Sequence, residues 1–159
     1  MKTTVSAPEG LPFTEIVREF DAPRDLVYRA HTDPDLLVQW LGPRRMAMTV
    51  DRYEVRDGGT WRYVHRDPDG NAYGFHGVFH GEPTMDGIVQ TFEFEGAPGH
   101  VSLDRLVLED LGGRTRVRVH STFESVADRD AMVENGMAQG VDEGYARLDE
   151  LVASLTPVA

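Results

Sequence analysis

Cysteine is absent from the 159 residues, which excludes disulfides, thiolate metal centres, thiol nucleophiles and thiol redox switches. That absence suits a reducing compartment and predicts a cytoplasmic protein. Lysine is scarce as well: Lys2 is the only one, and arginine carries the remaining positive charge. The 16 basic side chains face 27 acidic ones, a formal net charge of −11. A phosphate backbone would be repelled, so nucleic acid is not an expected partner. No apolar run exceeds three residues, as in Leu36-Leu37-Val38, so no segment is long enough to span a bilayer. The N-terminus has no apolar core that would make it a secretory signal.

What is present is ordinary globular material. A chain of this length predicts one domain that hides roughly 70% of its unfolded surface. Residues 1–12 are polar and contain two prolines, and are expected to form a flexible N-terminal arm before a single domain over 13–156. Phe13 to Phe20 alternates as a strand. Two short helices follow, one opening at Asp21-Ala22-Pro23 and one at Asp33-Pro34, the second stopping at Gly42-Pro43. Six further strands are then separated by turn residues, among them Asp57-Gly58-Gly59, Asp67 to Asn71 and Gly112-Gly113. Links this short join antiparallel neighbours. In the last strand Arg114, Arg116, Arg118 and His120 point one way and Thr115, Val117, Val119 and Ser121 the other, so one sheet face is wet and one buried. Ser125 to Leu155 reads as one long helix, capped by Ser125 and striped by Val133, Met137, Val141, Tyr145, Leu148, Val152 and Leu155.

A seven-stranded curved antiparallel sheet with one apolar face needs a cover, and the long helix supplies it. One helix cannot fill such a curve, and the leftover concave space is where a small molecule would bind.

The element order, with Asp21-Ala22-Pro23, Thr32-Asp33-Pro34, Trp40-Leu41-Gly42-Pro43, Asp57-Gly58-Gly59 and Gly112-Gly113-Arg114-Thr115, resembles the START-like helix-grip superfamily (SRPBCC). Within it the chain is similar to the branch named after the activator of heat-shock-protein-90 ATPase. The resemblance covers about Phe13 to Leu155 and implies an α+β helix-grip fold with a deep apolar cavity between sheet and C-terminal helix. Members mostly bind lipids, sterols, polyketides or other hydrophobic molecules, and some relatives are cyclases, aromatases or hydratases. Many relatives carry Gly-Trp where this chain has Gly140-Val141, which implies a larger or more open space.

The candidate ligand contacts are aromatic. Trp61, Tyr63 and His65 share one strand face, Phe75 and Phe79 another, and Phe92 and Phe94 a third; each could line a cavity or simply fill the core. Trp40 stands before a helix stop and is expected near the cavity mouth. Met137, Gly140, Val141 and Tyr145 would form the roof, with Gly136, Gly140 and Gly144 lying along one side of the helix. Three helical glycines cost about 1 kcal/mol each relative to alanine, so they serve either a close approach or an empty roof. Arg18 shares parity with Ile16 and Phe20, and would meet either an acidic ligand group or an internal carboxylate, with Glu54, Glu93 and Asp104 as possible partners.

His65 is the first candidate for acid–base chemistry, followed by Tyr63 and Glu54. No nucleophile elbow is present. His76 and His80 lie roughly 13 Å apart on a strand, too far to share an ion, and Asp67 to Asn71 is a hairpin turn rather than a calcium loop. Neither a metal nor a cofactor is expected. The favoured function is binding of a small hydrophobic or amphipathic molecule in the internal cavity. The alternatives are a cyclase-, aromatase- or hydratase-type enzyme and a chaperone-cofactor-like domain that binds a protein partner.

Overall fold

A computed structural model describes residues 2–155; residue 1, where the expected arm begins, and residue 156, where the expected domain closes, lie outside the described residues. Strands β1 (Thr4–Ser6) and β2 (Phe13–Phe20) precede helices α1 (Arg24–Thr32) and α2 (Pro34–Leu37). There follow β3 (Ala47–Tyr53), β4 (Thr60–Arg66), β5 (Ala72–Val78), β6 (Ile88–Phe94), β7 (Val101–Asp110) and β8 (Thr115–Thr122). Helices α3 (Val126–Glu134) and α4 (Met137–Ser154) end the described chain.

All eight strands form one antiparallel sheet in the order β1-β2-β8-β7-β6-β5-β4-β3. The turn-linked strands β3 to β8 pair with their sequence neighbours, and β2 returns to pair with β8. The expected count of seven is corrected to eight because the supposed loose arm contains β1, which docks Val5 opposite Ile16. A three-residue strand is too short to show a period, yet it satisfies the edge backbone of β2.

The single long helix expected over Ser125–Leu155 is two. Gly136 takes φ 82° and stands at the N-cap of α4, outside any helix. That backbone region strains any residue with a Cβ, so glycine permits the break. The caps at the start of α2 and α3 are as expected: Asp35 N donates to the Asp33 carboxylate at 2.9 Å, and Asp128 N to the Ser125 hydroxyl at 3.0 Å. Asp21 does not cap α1, whose N-cap is Pro23. Val133, expected in the apolar stripe, is exposed on α3, whose buried residue is Arg129.

The inner face of β8 is the predicted one, with Thr115 and Val117 fully buried. On the outer face Arg114 and Arg116 pair with Glu19, and Arg116 and Arg118 with Glu109. The main core lies where α1 and α4 close over the sheet, around Phe20, Val27, Ala30, Leu108 and Leu148. Phe20 meets the Tyr145 ring edge-on at 5.3 Å.

Candidate functional site

The inner face divides into two regions, and the candidates named from the sequence divide with it. On β4, β5 and β6 six rings form one cluster. Trp61 stacks on Tyr63 at 5.0 Å, Tyr63 meets His65 at 5.3 Å and Phe75 at 5.6 Å, and Phe75 lies 5.4 Å from Phe92 and 5.2 Å from Phe94. The register explains the gathering: Tyr63 pairs with Phe75, and Phe75 with Phe94, so strictly paired residues share a side. Phe79 is buried in the same cluster as Trp61 and Tyr63, with its ring edge-on to Tyr53 at 5.5 Å.

Trp40 belongs to the other region and sits at no mouth. It is 3% exposed, its indole N–H donates to the Ala30 carbonyl at 2.9 Å, and its ring stacks on Tyr145 at 6.0 Å. Met137 and Val141 are half-buried beside this same core, and a Cβ on Gly140 would touch only Pro43, at 3.7 Å. Gly144 is different: a Cβ there would meet the Gly42 nitrogen and Trp40 oxygen at 3.3 Å, so of the two glycines inside α4 this one serves a close approach.

Arg18 points inward as expected, but its carboxylate is none of the three proposed. It donates to Asp149 on α4 at 2.6 Å and to the Tyr145 carbonyl at 3.2 Å. Glu54 does not face the interior at all. It is an exposed side chain that accepts hydrogen bonds from the Thr60 nitrogen and hydroxyl at 2.9 and 2.8 Å, closing the β3–β4 turn.

His65 is 7% exposed, and its Nδ1 has no hydrogen-bond partner. Burial, then the Arg147 guanidinium, lowers its pKa to about 4, so the imidazole is neutral at ordinary pH. Burial pushes the Tyr63 hydroxyl far above the tyrosine range, so it stays protonated. His65 and Tyr63 are therefore both uncharged at ordinary pH.

Beyond Phe92 and Phe94 the sheet and α3 stand apart. A partly open cavity of about 220 Å³ lies there, bounded by Phe92, Phe94 and Ser102 of the sheet, by Phe123, and by Ala131 and Met132 of α3. His100, Asp128 and Asn135 complete its rim. Two residues further along β7, on the same face as Ser102, is Asp104, considered in the sequence only as a partner for Arg18. Ser102 donates its hydroxyl to the Asp104 carboxylate at 3.2 Å, and Ser121 on β8 hydrogen-bonds it as well. The pairings Thr14 with Ser121, Ser121 with Asp104 and Asp104 with Gln90 form a polar row across four strands of the inner face. Parity could have placed Asp104 with Leu106 and Leu108, had that strand's buried side been known.

A wider depression of about 400 Å³ lies on the convex face over Arg62, Arg66, Gly74 and Glu95. Arg62 already forms a bidentate pair with Glu95, both bonds 2.8 Å, so its charges satisfy one another and it offers less chemistry than the smaller inner space. His100, Glu124 and Asp128 bring three donor atoms within 4.8 Å of one another on the surface, enough in type to hold a cation, but His100 Nδ1 is already bonded to Asp128 at 3.0 Å.

The family model described as "Activator of Hsp90 ATPase homolog 1-like protein" matches residues 21–153. A protein from Arthrobacter aurescens, solved by NMR, is 30% identical with a TM-score of 0.87, the match covering 96% of this chain and 92% of that one. A crystal structure from Rhodobacter sphaeroides is 26% identical with a TM-score of 0.89, covering 98% and 100%. CalU16 from Micromonospora echinospora, at 20% identity and a TM-score of 0.61 over 97% of this chain and 88% of its own, shares the fold. No curated protein matches the sequence.

Proposed function

The chain belongs to the Activator of Hsp90 ATPase homolog 1-like family, a branch of the helix-grip superfamily, and from that premise we propose that it binds a small hydrophobic or amphipathic molecule between the inner sheet face and helix α3. The observation that carries this reading is the cavity of about 220 Å³ walled by Phe92, Phe94 and Phe123. Mostly apolar walls with a few convergent polar groups are the usual lining of a small-molecule site. The volume lies below the roughly 300–1,000 Å³ of drug-sized pockets, so the ligand, or the part of it that enters, is small. The aromatic cluster on β4 to β6 would form the rigid floor against which it rests.

Two other roles are less well supported. Proton transfer by His65 would require the ring to accept a charge that burial opposes. A protein-docking role calls for a contiguous apolar surface, and the exposed large apolar residues among those described are four: Leu11 and Met85 in loops, Leu103 on β7 and Val133 on α3.

Titration with an environment-sensitive apolar dye tests the proposal. The wild type binds one dye saturably, and Ala131→Trp, which places an indole in the cavity, abolishes that binding without changing the circular dichroism spectrum. Dye binding that fails to saturate, or that survives Ala131→Trp unchanged, overturns it.

A further inference from the structure

Among the described residues Asp104 is an inward-facing carboxylate with no counter-ion, and its surroundings state what would satisfy it. Asp104 is partly buried on the inner face, two residues along β7 from Ser102, which lines the cavity. Its hydrogen bonds come from Ser102 and Ser121, and among the described residues no arginine, lysine or histidine pairs with it. The titratable group nearest in effect is Tyr63 on β4, whose phenol feels the Asp104 charge. In the same cross-strand row Thr14 is fully buried and its hydroxyl has no partner.

A charge withdrawn from water without a partner is costly, and a ligand that brings the opposite charge removes that cost. Resting on the cavity reading above, we infer that the molecule bound is a small amphipathic amine, its ammonium nitrogen held by the Asp104 carboxylate and the Ser102 hydroxyl, and its apolar body lying against Phe92, Phe94 and Met132. The geometry allows it. Ser102 lines the cavity, and its hydroxyl donates to Asp104, which lies two residues further along the same strand face, roughly 7 Å along β7. Burial raises the Asp104 carboxyl to about 6, and the two seryl hydrogen bonds hold it from rising further, so the anion prevails at neutral pH. At the rim His100 and Asp128 bond to one another at 3.0 Å, a pair that favours neither sign of ligand. The net charge of −11 draws cations and repels carboxylates over longer range.

Three probes of one chain length and different head group separate this inference from the cavity reading: octylamine, octan-1-ol and octanoate, each titrated into the whole protein at pH 7.5 and followed by amide chemical shifts. Octylamine is expected to bind at least tenfold more tightly than octanoate. Asp104→Asn removes that preference while leaving octan-1-ol within twofold of its wild-type affinity. Octanoate binding as tightly as octylamine, or an amine preference that survives Asp104→Asn, overturns the inference while the cavity reading stands. Failure of all three probes to bind overturns both. The wild-type comparison alone decides the outcome should the variant not fold.

Discussion

Arg18 on the inner face of β2 and Asp149 on α4 meet at 2.6 Å across 131 residues of sequence, tying the last helix to the sheet. The guanidinium is 5% exposed and lies over the Phe20 ring at 4.7 Å, while Asp149 is 34% exposed. Removing one partner of a buried pair strands the other, at a cost of about 3–5 kcal/mol when both are enclosed. Asp149→Asn therefore destabilises the protein by about 3 kcal/mol, the low end of that range because Asp149 sees water. Arg18→Met leaves no buried charge and keeps the apolar contact with Phe20, so it costs less. Urea unfolding midpoints of the two variants check this order; an equal or reversed order refutes the account.

The two glycines inside α4 are expected to respond to alanine with opposite sign. At Gly140 the new methyl meets only Pro43, at an ordinary 3.7 Å. The gain in helix propensity then stands alone, and Gly140→Ala stabilises by up to about 1 kcal/mol. At Gly144 the methyl meets backbone atoms of Trp40 and Gly42 at 3.3 Å, and Arg147 pins that same segment by donating to the Gln39 and Gly42 carbonyls at 2.9 and 3.2 Å. Backbone held on both sides cannot easily give way, so Gly144→Ala destabilises by about 1–3 kcal/mol. Thermal melting of both variants measures the difference, and a stabilising Gly144→Ala would remove close approach as the reason for that glycine.

Most of the sheet was legible in the sequence because alternation and turn residues are local signals, and β8 even displayed its buried side. The failures are where local signals are ambiguous or absent. Strict alternation from the inward Val50 would place Arg52 and Glu54 inside, but a bulge between Val50 and Arg52 reverses the parity, so Tyr53 pairs with the buried Trp61 and Glu54 turns outward. On β7, Leu103 carries the opposite parity to Leu106 and Leu108; Leu103 is exposed, and nothing in the strand's own composition says which side holds Asp104. The break at Gly136 is concealed because the apolar spacing runs on through it. The Asp149 partner of Arg18 is a tertiary contact, and no spacing rule reaches that far.

Asp104 and His65 should pull stability in opposite directions between pH 4 and 6.5. The folded His65 has its pKa lowered to about 4 from the ordinary 6.5, so the unfolded chain binds more protons in this window and stability rises with pH across it. His31, buried and likewise lowered to about 4, adds a slope of the same sign. The folded Asp104 has its carboxyl raised to about 6, so the native state binds more protons than the unfolded one, and stability falls as pH climbs from roughly 4 to 6. In the wild type these slopes partly cancel. Asp104→Asn removes the falling one, so relative to wild type the variant gains roughly 1–3 kcal/mol at pH 7 and close to nothing at pH 4. Other titrating groups cancel in that difference. Melting temperatures of wild type and Asp104→Asn at pH 4, 5, 6 and 7 supply it. A variant that loses stability equally at every pH would mean that Asp104 is a satisfied structural carboxylate, and the interior would then have no unmet charge to offer a ligand.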